Sequence, residues 1–170
     1  NKFLIEIQAS RQPSFPKRAL YYWSKLYTKS LRKGQNFKFL PRVYSFNFLN
    51  YIQLPKSSEF HSVFHLLEKN TPKLRLTEDL EIHIVEMPKL LADSKFNTKL
   101  ENWVYLLREA QNLKGEEMKT LERSNPKIKK AVSELRTISK TEAKRYLYEA
   151  RLKSEFVYNT GMADAFDRGL

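Results

Sequence analysis

The sequence has no cysteine, which excludes a disulfide framework, a thiolate metal site and a cysteine nucleophile, and fits a reducing, cytoplasmic setting. Glycine is scarce, four in 170 residues, and no Gly-rich phosphate loop or Gly-x-Ser-x-Gly elbow can be found. The common nucleotide-cofactor and serine-hydrolase designs are thereby set aside. No apolar run approaches the roughly 20 residues that span a bilayer, so no membrane partner is expected. Residues Asn1 to Gln8 open directly into a strand-like pattern, without a basic region followed by an apolar signal segment. Acidic residues are the last shortage: 19 Asp and Glu stand against 31 Lys and Arg, for a net charge of +12 and a pI near 9.8.

What is present is a globular composition, 41% hydrophobic and 29% charged, in a length that suits one domain with a real core. The basic excess is uneven. Residues 1–60 hold 11 basic and 2 acidic side chains, whereas residues 61–125 are near balance with 10 and 11. A basic N-terminal third points to an anionic partner, nucleic acid being the commonest; the plainer alternative is a set of solvated lysines.

Residues 2–9 alternate with period two, placing Phe3, Ile5 and Ile7 on one face and Leu4, Glu6 and Gln8 on the other. The pattern predicts a strand whose apolar face is sealed by Phe3, Ile5 and Ile7. Ser14 is placed to cap a helix that tolerates Pro16 in its first turn, with Phe15, Ala19, Tyr22, Trp23, Leu26 and Ser30 on its apolar side and Gly34 as its C-terminal glycine. The aromatic run Phe37 to Leu49 reads as strand, with Pro41 near its start. Further strands are expected at about Phe60–Leu67 and Leu80–Glu86, and Pro88 closes the sheet-forming region. Helices follow. Thr98-x-x-Glu101 and Ser139-x-x-Glu142 read as capping boxes, a short helix is expected over Glu116–Arg123, and Asn125-Pro126 opens another. The coarse picture is an α/β core over residues 1–90 and a helical region over 91–170. The amphipathic C-terminal helices leave a homo-oligomer open.

Glu6 and Gln8, two apart in a strand, project together. A carboxylate so placed can ligate Mg²⁺, which takes hard oxygens and only one or two from protein, and the amide can orient a water or a phosphate; the plainer reading is a solvent-facing pair. At ~100° per residue, Arg18, Lys25, Lys29 and Arg32 form one stripe of the following helix, interleaved with Tyr21 and Tyr22. Such a stripe is an electrostatic footprint for a phosphate backbone, or equally the solvated flank of a core-packing helix. His61 and His65 share a strand face, and His83 can lie across from one of them; cross-strand pairing is preferred to a zinc site, for which no cysteine is available. Glu78-Asp79-Leu80-Glu81 and Glu116-Glu117 read as capping and surface charge.

Several segments together are similar to a known family: Ile5-Glu6-Ile7-Gln8, then Arg18-Ala19-Leu20-Tyr21-Tyr22-Trp23-Ser24-Lys25-Leu26-Tyr27, Leu31-Arg32-Lys33-Gly34, Tyr44-Ser45-Phe46-Asn47-Phe48-Leu49, Phe60-His61-Ser62-Val63-Phe64 and Leu76-Thr77-Glu78-Asp79-Leu80-Glu81-Ile82-His83-Ile84-Val85-Glu86-Met87-Pro88-Lys89. With Tyr148-Glu149-Ala150-Arg151 and Ala165-Phe166-Asp167-Arg168-Gly169, they resemble, in order and spacing, the PD-(D/E)XK nuclease family transposases, or recombination-promoting nucleases. The resemblance implies a restriction-endonuclease-like mixed sheet flanked by helices and Mg²⁺-assisted hydrolysis of DNA, with Glu-x-Gln where relatives have Glu-x-Lys. Glu6 would be the metal-binding carboxylate, and Gln8 would position the attacking water or the phosphate. The basic stripe, for its part, makes Arg18, Tyr22, Lys25, Lys29 and Arg32 the expected DNA contacts. The family's metal-binding Asp stands on an earlier strand, and residues 1–5 contain no acid. The chain is therefore expected to be N-terminally truncated and to hold half of a metal site. Two functions stay open at this point: a DNA endonuclease of the transposase-associated type, and an inactive remnant acting at most as a nucleic-acid-binding protein.

Overall fold

The computed structural model describes residues 1–90, 98–109 and 115–140. The chain divides into two compact units between Asn97 and Thr98. In the first, β1 (Lys2–Gln8), β2 (Val43–Leu49), β3 (His61–Phe64) and β4 (Leu80–Glu86) form one sheet in the order β1-β2-β4-β3. The first three in that order run parallel and β3 is antiparallel to β4. Helix α1 (Phe15–Thr28) makes the crossover from β1 to β2, the connection that parallel neighbours require.

Register fixes the faces. Glu6, Asn47 and Ile84 form one cross-strand row, and Gln8, Leu49 and Glu86 the next. This is the face that α1 covers: Phe15, Ala19 and Trp23 pack with Val43, Leu49, Ile82 and Ile84 in one core. Trp23 Nε1 donates to the Val43 carbonyl at 2.8 Å, and the Tyr27 ring stacks on Trp23 while its hydroxyl donates to Asp79 at 2.9 Å. These bonds tie the helix to the starts of β2 and β4.

The assignment of faces in β1 is thereby reversed from expectation. Phe3, Ile5 and Ile7 are 63%, 66% and 57% exposed, while Leu4, Glu6 and Gln8 are half-buried on the α1 side. Alternation tells which residues share a face; the helix decides which face is covered. On the far face, burial rises toward the sheet centre, from Ile7 through Phe48 to fully buried Val85.

Two elements end elsewhere than the pattern suggests. Helix α1 stops at Thr28, where the Thr28 hydroxyl bonds back to the Ser24 carbonyl at 2.9 Å and Ser30 to Leu26 at 2.6 Å. Such back-bonding competes with continued helix. Gly34, at φ +83°, belongs to the turn beyond, and Ser14 makes no side-chain cap to α1. Phe37–Phe39 is a single 3₁₀ turn, its Lys38 amide bonded to the Asn36 side chain at 3.0 Å, so strand begins only at Val43.

The second unit contains α2 (Lys99–Glu109), α3 (Glu116–Ser124) and α4 (Pro126–Lys140). The Thr98 capping box is present in both directions: Glu101 N donates to Thr98 Oγ1 at 3.2 Å, and Thr98 N to Glu101 Oε2 at 2.9 Å. Asn125 accepts from the Lys127 amide at 3.0 Å ahead of α4, and Leu121, Ile128 and Val132 are buried. Ser139 falls in the backbone of α4; its side chain, Glu142 and the helix they would introduce lie outside the described residues.

Candidate active site on the edge of the parallel strands

Glu6 and Gln8 stand near the C-terminal end of β1, where α1 crosses the sheet. Open α/β sheets place their ligands at this end of the strands. The two side chains point the same way, and Gln8 Nε2 donates to Glu6 Oε2 at 3.4 Å. The Glu6 side chain keeps 18% of its surface, so it is reachable while sheltered.

Arg18 is the nearest cation. Its Nη2 lies 3.9 Å from Glu6 Oε2, and its Nη1 donates to Gln12 Oε1 in the turn between β1 and α1. It therefore folds back over β1 and does not join the exposed stripe of α1. The remaining stripe residues stay on the surface. Tyr22 is exposed and meets Tyr21 edge-on at 5.4 Å, and Lys25 lies over the Tyr21 ring at 5.6 Å. Lys29 caps α1 from just beyond its end, and Arg32 sits in the following turn, its amide held by Gln35 at 2.8 Å. The cationic line is broken by the early end of the helix.

Two groups missed in the sequence stand in the same rows. Asn47, fully buried beside Glu6 in the register, donates to Ser45 Oγ and to the His83 carbonyl, each at 3.1 Å; its Oδ1 has no partner. Glu86, also fully buried, ends β4. Its Oε1 accepts from the amides of Gln53 and Leu54 at 2.5 and 2.8 Å, and its Oε2 pairs with Lys89 at 2.5 Å. Every oxygen of Glu86 is thus used in holding the segment after β2 to the sheet. The legible signal was an acid closing the otherwise apolar run Ile84-Val85, three residues before a lysine.

On the far face the histidines pair across strands as expected. His61 Nε2 and His83 Nδ1 are 2.9 Å apart, His83 Nε2 meets Glu81 Oε1 at 2.8 Å, and Phe46 stacks on His83. His65 lies 3.8 Å from Glu81 and bonds Arg75 at 3.1 Å. Burial, with His83 adding to it, pulls the His61 pKa down, and Glu81 opposes the shift. No group of three or more metal-ligating side chains gathers among the described residues.

A mixed sheet bearing a Glu-x-Gln pair on a parallel strand under a crossover helix defines an α/β fold of the restriction-endonuclease-like class. The chain belongs to the PD-(D/E)XK nuclease family transposases, whose sequence profile matches residues 1–165. No curated protein and no solved structure matches it. Membership gives a nuclease or transposase function. No helix among the described residues is long and apolar enough to cross a membrane.

Proposed function

We propose that the chain supplies half of the metal site of a Mg²⁺-dependent DNA endonuclease of the recombination-promoting type, acting in the cytoplasm, with Glu6 as metal-binding carboxylate and Gln8 as the group that orients water or phosphate. One observation carries the reading: Glu6 and Gln8 converge, hydrogen-bonded, on a half-buried ledge at the C-terminal end of a parallel strand. The donor chemistry fits the ion. A carboxylate and an amide carbonyl are both hard oxygens, and Mg²⁺ commonly takes one or two from protein and completes its shell with water and phosphate. Bound there, the metal would lower the pKa of a water and offset charge developing on phosphorus.

The protein's own part is positional. Gln8 can donate from Nε2 while its carbonyl accepts, and this suits a group that aligns a water against a phosphodiester. Arg18 supplies positive charge beside the carboxylate in a sheltered setting, where charge acts more strongly than in bulk water. The exposed Lys25, Lys29 and Arg32 provide a surface for the backbone.

A non-catalytic DNA-binding role is the competing reading, favoured by the pairing of Glu6 with Arg18. Plasmid DNA incubated with the full chain and Mg²⁺ separates the two. The expected result is nicking that falls by at least about 100-fold in Glu6→Ala, the scale typical of losing one electrostatic contributor to a transition state. Nicking unchanged in Glu6→Ala removes Glu6 from the site. Salt-dependent binding with no cleavage at any Mg²⁺ level favours the competing role.

A further inference from the structure

Arg18 offers more than a counter-charge for Glu6. A guanidinium binds an oxyanion best along one edge, where two N–H groups lie parallel and match two oxygens. In Arg18 one corner is fixed: Nη1 is held by Gln12 Oε1. The opposite edge is uncommitted. Its Nε–H is buried without a partner, and its Nη2 approaches Glu6 Oε2 only to 3.9 Å, beyond hydrogen-bonding range. Buried donors in folded proteins are nearly always paired, so an orphan at a functional site asks for a ligand atom.

A second unspent donor stands close by. Tyr51 follows β2 by two residues, and the adjoining Asn50 amide donates to the Gln8 carbonyl at 2.9 Å, which fixes this stretch against the end of β1. The Tyr51 ring meets Phe15 edge-on at 6.4 Å, and its hydroxyl is buried with no acceptor for its O–H. Burial raises the Tyr51 pKa, while the charges of Arg18 and Arg11 and the Gln12 amide facing its oxygen oppose the shift. Gln12 thus links the two donors, its side chain on Arg18 and its main chain toward Tyr51.

We propose that the Nε–Nη2 edge of Arg18, with the Tyr51 hydroxyl as a further donor, binds one phosphodiester of the DNA strand beside the Glu6–Gln8 pair. Gln12 is the positioning residue, because it fixes the guanidinium plane and so decides which edge faces the strand. The proposal deepens the nuclease reading and rests on it for the identity of the anion. It also gives Arg18 two states. Without DNA the guanidinium neutralises Glu6; with a phosphate on its free edge, its charge is shared with the strand and Glu6 Oε2 is released.

The test uses short DNA duplexes in which single phosphates are replaced, one at a time, by uncharged methylphosphonates, with binding followed by fluorescence anisotropy in EDTA. In the wild-type chain, one or two adjacent replacements are expected to weaken binding by about 10-fold, the scale of a charge-assisted contact. Arg18→Ala should show that same loss on unmodified DNA and no further loss at those replacements. Arg18→Lys keeps the charge beside Glu6 but lacks the paired edge, so it should behave like Arg18→Ala; Gln12→Ala should lose part of the coupling and Tyr51→Phe less. A folded Arg18→Lys that keeps wild-type sensitivity to each replacement overturns the proposal, as does a wild-type chain insensitive to all of them. The assay contains no metal, so its outcome is independent of cleavage. Glu6-dependent nicking without the coupling leaves the nuclease reading and removes the phosphate site; coupling without such nicking does the reverse.

Discussion

Glu86 shows how one side chain can be indispensable without touching a substrate. Its carboxylate is fully buried, yet it accepts from two amides of the Gln53–Leu54 turn and pairs with a nearly buried Lys89, which in turn donates to the Leu54 carbonyl at 2.7 Å. Removing one partner from such a pair leaves an uncompensated buried charge. Lys89→Met is therefore expected to cost about 3–5 kcal/mol, measured as a drop in unfolding free energy in urea, and Glu86→Ala to cost at least as much because two amides are orphaned as well. If either variant unfolds within about 1 kcal/mol of the wild type, the pair is not holding the turn. Arg18 makes the complementary point. Its helical position was readable from the sequence, but its contact with Glu6 was not, because that depends on which face of β1 the helix crosses.

At the scale of the element, the pairing of β3 with β4 is reinforced by a chain of rings and carboxylate. Glu81 can only accept, so His83 donates to it from Nε2, and one proton bridges His83 Nδ1 and His61 Nε2. The His61 pKa is lowered on folding, so the unfolded chain takes up the proton first as acid is added. Stability from this rung is full above the ordinary histidine pKa near 6.5 and is lost as pH falls below it toward the folded value. The urea midpoint of the wild type should therefore fall between about pH 7.5 and 5.5 by more than that of His61→Phe; equal pH dependence would show that the pair does not report on folding. His65 also faces Glu81 and bonds Arg75, and both should be left intact in that comparison.

Elements differ in how far the sequence discloses them. Strand β4 runs over Leu80–Glu86 as its apolar run indicates, and β1 ends one residue short of the alternating segment. Both are set by side-chain periodicity, which is local information. The end of α1 is set by hydroxyls that bond back to the preceding turn, and the 3₁₀ turn at Phe37–Phe39 by the Asn36 cap. Apolar pattern does not encode either. Phe37 and Phe39 are 78% and 62% exposed, so their aromatic character did not mark core. The candidate site was legible to the extent that Glu6 and Gln8 lie two apart; Asn47, Tyr51 and Glu86 reach it only through register and the path of the chain after β2.

For the molecule as a whole, the basic surface is the feature with a direct physical readout. Each phosphate neutralised by Lys or Arg releases counterions, so binding falls with salt at a slope of about −0.9 per contact on B-DNA. Replacing Lys25, Lys29 and Arg32 together should weaken binding to DNA of any sequence and flatten that slope by about one unit for each contact they make. A triple variant with an unchanged slope would place the backbone elsewhere on the chain. Because Arg18 is sheltered and the other three are exposed, its loss should instead appear at one phosphate position.

The parallel order β1-β2-β4 also governs how the protein comes into being. Each residue of β1 has its partner in β2, with the whole of α1 and the following turn between them, and β2 is separated from β4 by the β3 segment. Neither pairing can form as a local hairpin. Closing such loops costs entropy before any ladder contact is gained, which is why sheets of distant partners fold slowly. Glu6, Asn47 and Glu86 should thus meet only as the last strands align. The rows that bring these residues together exist only once the sheet is complete, so a partly folded chain would carry every candidate residue and still have no site.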